Sequence, residues 1–107
     1  MTDVYWTPEA RARLEDIEAY IAKDAPSTAK DTVARLLARA RQLTTAPLSG
    51  RQVPDYPRQG LRELLERPYR IIYRITTERI EILTVMHYRQ LLPRKASALQ
   101  NSGQETP

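Results

Sequence analysis

Three side chains, Arg70, His87 and Tyr88, lie at the ends of two predicted strands and have the chemistry needed to cleave a nucleic acid. Metal-independent RNA cleavage requires a base for the 2′-hydroxyl, an acid for the leaving oxygen and cations for the phosphorane. Histidine titrates in the useful range, a guanidinium can hold the phosphate, and a tyrosine can donate a proton. Glu63 and Glu66 are the candidate bases. These residue types are compatible with a ribonuclease.

The same side chains also have a structural interpretation. His87 is the only histidine among the 107 residues and can form a hydrogen bond at a strand end. Arg70 can cover an exposed sheet face, and Arg74 can pair with Glu81. Because a single titratable residue indicates a functional site only statistically, residue types alone favour the structural interpretation.

The composition excludes several classes of chemistry. The chain has no cysteine, which removes thiol catalysis, disulfides and cysteine-rich zinc sites, and a single histidine disfavours a histidine-based metal site. We therefore expect no metal and no cofactor. The N-terminus lacks a signal-like apolar segment, and no stretch is long enough to span a bilayer, so we expect a cytoplasmic protein without membrane contact.

The net charge of +4 is concentrated in the second half of the chain. Residues 51–107 contain ten Lys or Arg against six Asp or Glu, whereas the first fifty residues are balanced. Arg51, Arg58 and Arg62, with Tyr56, could form a phosphate-binding patch, although a solvated loop is an equally good interpretation. An acidic partner is therefore expected to meet the second half of the chain.

Two amphipathic helices are predicted after a short strand at residues 3–6. Thr7 can cap the first helix, in which apolar residues recur at spacings of three and four over residues 8–24. Ser27 can cap the second helix, which has the same periodicity and ends before residue 47. The two helices should form an antiparallel hairpin that covers one face of a sheet.

A loop rich in proline and glycine at residues 47–60 separates the helices from three predicted strands at 61–66, 69–75 and 79–87. The predicted fold class is α+β: an N-terminal strand and a helix hairpin packed on a small, mainly antiparallel sheet. Residues 1–95 should form a single domain, and residues 96–107 a polar, flexible tail.

The register of the last two strands can be predicted from their apolar pattern, because a slip of one residue inverts every side chain. Pairing Ile75 with Ile80 gives one nearly continuous apolar face for the helices to cover. The same register pairs Arg70 with Val85 and makes His87 a diagonal neighbour of Arg70. Arg70 and His87 should then share an open face of the sheet.

Several motifs, in this order and spacing, resemble the RelE/ParE superfamily of bacterial toxins, and most closely its ParE branch. They are "YWTPEARARLEDIEAYI", Gly50-Arg51 with Val53-Pro54, Arg62-Glu63-Leu64, the run from Tyr69 to Arg74, and Ile82-Leu83 through Val85 to His87. The resemblance extends to about Leu92. It implies a helix hairpin on a small, mainly antiparallel sheet, in agreement with the periodicity.

The resemblance implies two alternative activities. ParE-like toxins inhibit DNA gyrase and block replication, whereas RelE-like and YoeB-like toxins cleave messenger RNA on the ribosome. Arg70, His87 and Tyr88 look similar to the YoeB-like catalytic set, but the lysines of RelE have no counterpart between Lys30 and Lys95. The resemblance therefore favours a non-enzymatic gyrase inhibitor, with ribonuclease activity as the alternative and an inactive binding module as a third hypothesis.

In either branch the resemblance implies a cognate antitoxin, ParD-like in this case, with an acidic, amphipathic tail that folds over the toxin. Contact with operator DNA would be indirect, through the antitoxin. The predicted partner-binding residues are Arg51, Arg58, Arg62, Arg70, Arg74, His87 and Arg89.

Overall fold

The computed structural model describes residues 2–56 and 59–90 of the chain. The helices in this part are α1 (Pro8–Ala22) and α2 (Pro26–Arg41), and a short 3-10 turn, Gln42–Thr44, follows the second. The strands are β1 (Val4–Trp6), β2 (Arg51–Gln52), β3 (Leu61–Glu66), β4 (Tyr69–Ile75) and β5 (Ile80–His87). The predicted α+β class, the helix hairpin and the mainly antiparallel sheet are confirmed.

The five strands of the described chain form one sheet in the order β1-β5-β4-β3-β2. β1 runs parallel to β5, and the other neighbours are antiparallel. β2 was not predicted, because its two residues lie inside the loop rich in proline and glycine and show no apolar alternation. Its pairing of Arg51 with Glu63 fixes this loop along the edge of β3.

Thr7 joins the start of α1 to strand β5 of the sheet. Its side-chain oxygen accepts a hydrogen bond from the Ala10 N–H at 3.2 Å, as predicted for an N-cap. The same hydroxyl donates to the Ile82 carbonyl of β5 at 2.8 Å. Thr7 is buried and therefore both begins the helix and fixes its position against β5.

The start of α2 differs from the prediction. The helix begins at Pro26, and its N-cap, Ala25, makes no side-chain capping hydrogen bond. Ser27, the predicted cap, lies inside the first turn. Proline is favoured at the first helical position because it has no N–H to leave unsatisfied there, and this preference moves the helix start forward.

The main core lies between the helix hairpin and one face of the sheet. Its buried members are Ala10, Leu36, Ala40, Leu43, Leu64, Ile71, Tyr73, Ile80, Ile82 and Val85. Ala10 and Ala40 are fully buried, so both helices have a small residue where they approach their neighbours. This packing agrees with the apolar stripes of the two predicted helices.

The opposite face of the sheet is not open, contrary to the prediction. Val53 and Tyr56, from the loop that follows β2, pack with Leu61, Ile72 and Leu83 in a second, smaller buried cluster. Since β3, β4 and β5 each contribute to this cluster, the sheet is apolar on both faces near its centre. In the sequence, the burial of both faces is visible only as an apolar run. Such a run does not indicate which segment covers the second face.

The predicted register between β4 and β5 is correct near the turn and wrong farther from it. Ile75 pairs with Ile80, and Tyr73 with Ile82, as predicted. A β-bulge then shifts the register, so that Ile72 pairs with Thr84 instead of Leu83. One extra residue in β5 inverts the faces of every residue that follows it.

Candidate functional site

The β-bulge decides which aromatic side chain shares a cleft with Arg70. Beyond the bulge, Arg70 pairs with Met86 instead of Val85, and His87 pairs with Tyr69. His87 therefore lies on the helix-covered side, and the predicted juxtaposition of Arg70 with His87 is wrong. Tyr88 follows the end of β5 and lies beside Arg70 instead.

A hydrogen bond fixes the position of Tyr88. Its backbone N–H donates to the carbonyl of Pro68, in the turn between β3 and β4, at 2.8 Å. Its hydroxyl accepts a hydrogen bond from the Arg89 Nε at 3.1 Å. The ring stacks on His87, with centroids 5.0 Å apart and an interplanar angle of 22°. The side chain is still 43% exposed.

Tyr88 and Arg70 line a cleft of about 370 Å³ on the face of the sheet opposite the helices. We call it the Tyr88 cleft. Its polar and charged walls come from β2, the loop after it, the turn after β3, and β4, and Leu65 of β3 adds an apolar wall. The lining residues of interest are Arg51, Asp55, Leu65, Arg67, Arg70 and Tyr88.

A buried ion-pair network lies beneath the Tyr88 cleft. The Glu63 side chain is fully buried, and each of its oxygens accepts a hydrogen bond from an arginine. Arg70 Nε donates to Oε1 at 2.8 Å, and Arg51 Nε donates to Oε2 at 2.6 Å. A second carboxylate, Asp55, lies 3.5 Å from Arg70. Glu63 is therefore fully engaged in holding two guanidinium groups and is not placed to act as a base.

Glu66, the other candidate base, faces the helix hairpin. Its carboxylate forms ion pairs with Arg35 at 3.2 Å and with Arg39 at 3.6 Å, both from α2. It therefore joins β3 to α2 and does not belong to the Tyr88 cleft.

His87 lies in a separate groove of about 430 Å³ between α1 and the end of β5, which we call the His87 groove. Its ring meets Tyr69 edge-on, with centroids 6.0 Å apart, and its Nδ1 accepts a hydrogen bond from the Arg89 N–H at 3.1 Å. Among the other lining residues are Asp16, Ile17, Tyr20 and Val85. Tyr20 is 75% exposed, the most exposed large apolar residue of the described chain.

The remaining predicted partner-binding residues lie on both faces of the sheet and at its end. Arg62 donates to the Gly50 carbonyl at 2.6 Å, and Arg74 forms its predicted pair with Glu81 at 2.8 Å. Arg89 is exposed beside Tyr88. Arg58 and the predicted tail at residues 96–107 lie outside the described residues. The assignment of all these side chains to partner binding stays a prediction.

Two tyrosines close to the Tyr88 cleft have perturbed acid-base properties. Burial raises the pKa of Tyr56, and the negative charge of Asp55 raises it further, while Arg70 acts in the opposite direction. Burial also raises the pKa of Tyr69, with Arg35 opposing it. Both phenols therefore remain protonated at neutral pH.

The sequence interpretation did not include Arg67, although it lines the Tyr88 cleft. It lies in the turn between β3 and β4, its side chain is exposed, and within the described residues it has no ion-pair partner. The sequence does contain a signal for Arg67. This arginine precedes Pro68 in a predicted turn between two strands, close to Arg70, so a role in the same site could have been predicted. Asp55 was also missed, because its position depends on how the preceding loop folds over the sheet.

Neither a metal site nor a membrane span is found in the described part of the chain. No group of three or more His, Cys, Asp or Glu side chains is arranged to hold a metal ion there. The described helices are also too short or too polar to cross a membrane.

A comparison with known protein families gives a match that covers most of the chain. Residues 4–92 match the model of the ParE toxin of the type II toxin-antitoxin system parDE. The matched segment contains both helices, all five strands, the Tyr88 cleft and the His87 groove.

Two individual proteins are similar over nearly their whole length. A Sinorhizobium fredii protein named "Putative toxin Y4kP" is 43% identical over 92 residues, which are 84% of this chain and 92% of the relative. A solved structure entitled "Chromosomal ParDE TA system from P. aeruginosa" contains a chain that superposes with a TM-score of 0.71 at 27% identity. That match covers 81% of this chain and 96% of the other.

Proposed function

Since this chain belongs to the ParE toxin family of type II toxin-antitoxin systems, we propose that it inhibits DNA gyrase and thereby blocks replication. This is the activity that the ParE-like motifs imply. In this proposal the toxin acts in the cytoplasm by binding, without catalysing a reaction itself, and the predicted basic residues contribute to the surface that meets its partners.

The separation of Arg70 from His87 is the observation that most favours a binding toxin over a ribonuclease. Arg70 is only 8% exposed and forms an ion pair with the buried Glu63, while His87 lies in a groove on the other side of the sheet. A general acid or base must come within hydrogen-bonding reach of the proton that it transfers. A phosphate held by Arg70 is therefore poorly placed to receive help from His87.

A cognate antitoxin is the second proposed partner, and the His87 groove is the proposed place for part of it. The exposed ring of Tyr20 and the half-buried Ile17 provide apolar surface beside α1, where Arg13 is paired with Glu9 at 3.3 Å and with Asp16 at 3.0 Å. Such an apolar surface suits one side of an amphipathic segment that orders on binding. Operator DNA would then be contacted through the antitoxin.

A supercoiling assay with purified gyrase tests the proposed target. We expect the toxin to inhibit supercoiling and to trap cleaved plasmid, and we expect addition of antitoxin to reverse both effects. Unchanged supercoiling at a large molar excess of folded toxin would overturn the proposal.

Primer extension on translated messages, after induction of the toxin in cells, tests the ribonuclease alternative. We expect no new 5′ ends. New ends that disappear in the His87→Ala variant would establish the alternative, although His87 and Arg70 line different clefts.

The antitoxin surface is tested by changing one exposed side chain of the His87 groove. Tyr20→Asp removes apolar area and adds a negative charge, so it should weaken antitoxin binding about tenfold or more in calorimetric titration. Glu78→Gln, in the exposed turn between β4 and β5, is the matched control and should bind normally. Equal affinities of the two variants would place the antitoxin elsewhere.

A further inference from the structure

We propose that the Tyr88 cleft binds a phosphate group carried by a nucleic-acid strand. The side chains of the cleft itself determine this ligand chemistry, which does not depend on gyrase being the target. It also requires no catalytic step, since only donors and positive charge are involved.

The charge balance of the cleft favours an anion. Arg51, Arg67 and Arg70 line it, whereas the nearby carboxylates are Asp55 at its wall and Glu63 beneath it. Glu63 uses both oxygens on Arg51 and Arg70. One positive charge therefore remains in excess, and it is best assigned to Arg67, which has no ion-pair partner within residues 2–56 and 59–90.

The geometry of the donors favours an anion with several oxygens. Guanidinium groups donate in a planar fork that matches phosphate, and Arg67 is exposed and can offer all of its N–H groups. Tyr88 accepts a hydrogen bond from Arg89 Nε, so its own O–H proton is available to a ligand. The cleft, at about 370 Å³, has room for a phosphate together with an attached sugar.

Two partly exposed apolar side chains favour a nucleic-acid strand over free phosphate. Leu65 is 39% exposed and Tyr88 is 43% exposed, and both line the cleft beside the arginines. A sugar or base attached to the bound phosphate can pack on these surfaces, whereas inorganic phosphate cannot use them. Positive charge next to aromatic and apolar surface is the usual arrangement for binding single-stranded nucleic acid.

The β-bulge in β5 builds this site. In the unbulged register, His87 would take the side of Arg70, and the tyrosine that follows would point to the helix-covered side. With the bulge, the Tyr88 N–H bonds to the Pro68 carbonyl, which places the ring beside the turn that carries Arg67. The cleft thus receives a phenol hydroxyl instead of an imidazole ring.

The proposal can be tested with the full, ¹⁵N-labelled chain by NMR titration. Inorganic phosphate, a nucleoside 5′-monophosphate and a short single-stranded oligonucleotide are added at constant ionic strength. We expect all three ligands to shift the amide signals of Arg67 and Tyr88, with affinity increasing from phosphate to oligonucleotide. Equal affinity for the three would retain the phosphate site but overturn the assignment to a nucleic-acid strand.

Three variants separate a built site from general electrostatic attraction. Arg67→Gln should weaken oligonucleotide binding about tenfold and reduce the slope of log affinity against log salt by about one. Tyr88→Phe keeps the ring and removes the donor, so we expect a loss of about threefold to tenfold. Arg11→Gln removes the same charge from the exposed surface of α1 and should change affinity by less than about twofold.

Two outcomes would overturn the proposal. Equal losses for Arg67→Gln and Arg11→Gln would mean that the oligonucleotide responds only to net charge. An acidic peptide that produces the same shifts at a lower concentration than an oligonucleotide of equal charge would assign the cleft to a protein carboxylate. The amide spectrum of each variant, recorded without ligand, verifies that the fold is retained.

Discussion

The two faces of the sheet are stabilised in different ways. The helix-covered face is filled by aliphatic side chains from α2, β3, β4 and β5, together with the ring of Tyr73. The opposite face has a smaller apolar cluster, next to which the buried Glu63 holds Arg70 and Arg51. Apolar packing tolerates few charges, whereas an ion-pair network keeps guanidinium groups close to the surface. The first face therefore serves mainly stability, and the second can also present charge to a ligand.

The largest expected effect comes from removing the centre of the ion-pair network. Glu63→Ala should lower the free energy of unfolding by about 3 to 5 kcal/mol, because it leaves the guanidinium of Arg70 buried without its main partner. Urea denaturation measures the change. A loss below about 1 kcal/mol would mean that Asp55, at 3.5 Å from Arg70, can replace the missing carboxylate.

The double variant Glu63→Leu with Arg70→Met distinguishes charge from packing on this face. It removes both buried charges and keeps similar volume, so it should recover most of the stability lost in Glu63→Ala. A double variant as unstable as the single one would mean that this face depends on the shape of the network more than on its charge balance.

A truncation on the helix-covered face gives the second largest effect. Leu36 of α2 is 1% exposed and belongs to the main core, so Leu36→Ala should cost about 3 kcal/mol through lost burial and the cavity left behind. Its effect should vary little with pH, because the substitution removes no charged group. A strongly pH-dependent loss would contradict the proposed difference between the faces.

Tyr73, whose ring lies on the helix-covered face, is hydrogen-bonded to the loop that precedes β2. The Gly50 N–H donates to the Tyr73 hydroxyl at 2.9 Å, and this hydroxyl donates to the Pro47 carbonyl at 2.7 Å. A Cβ at position 50 would lie 2.6 Å from the hydroxyl and 2.7 Å from the Glu63 carbonyl oxygen. Gly50→Ala should therefore displace the loop and cost about 2 kcal/mol.

Gly60→Ala is the matched control for this clash. Gly60 has φ of +71°, but a Cβ there would meet no atom of the described residues within 4 Å. Only backbone strain of about 1 kcal/mol is then expected. A thermal melt of both variants is sufficient, and equal losses would mean that the contact at Gly50 relaxes without cost.

The strands were predictable because their alternation is clear at one end and their turns are well marked. The bounds of β3 and β4 agree with the sequence prediction, and the β4-β5 register is correct from Ile75 to Tyr73. Beyond that point Leu83 to Met86 are apolar or nearly so, because this part of β5 is covered on both faces. An apolar run fits either phase equally well, so the bulge left no signal in the pattern.

The candidate site was less predictable than the fold for the same reason. One extra residue in β5 exchanges His87 for Tyr88 beside Arg70, and no property of these three residues indicates the exchange. The network around Glu63 depends on β2, whose two residues lie in a loop with no periodic pattern. Local pairs such as Arg74 with Glu81 were predictable because they follow directly from a register near a turn.

The smallest expected effect comes from the pair of Arg74 with Glu81. Because this pair lies away from the Tyr88 cleft, a substitution there measures how much charge on the sheet contributes to stability. Burial alone would raise the pKa of Glu81, but hydrogen bonds and positive charge from Arg74 and Arg79 lower it below its ordinary value of 4.5. Because the folded pKa is the lower one, the stabilisation is complete above the unfolded pKa and is lost as the pH falls through the folded pKa.

Glu81→Gln should therefore cost about 1 kcal/mol or less at pH 7 and progressively less below about pH 4.5. The cost is the difference between the unfolding free energies of wild type and variant, measured at pH 7 and again below about pH 4.5. Glu78→Gln, three residues earlier and exposed, is the matched control. A cost that stays constant down to acid pH would mean that Glu81 acts through its hydrogen-bond geometry alone, and that charge matters for stability only in the buried network around Glu63.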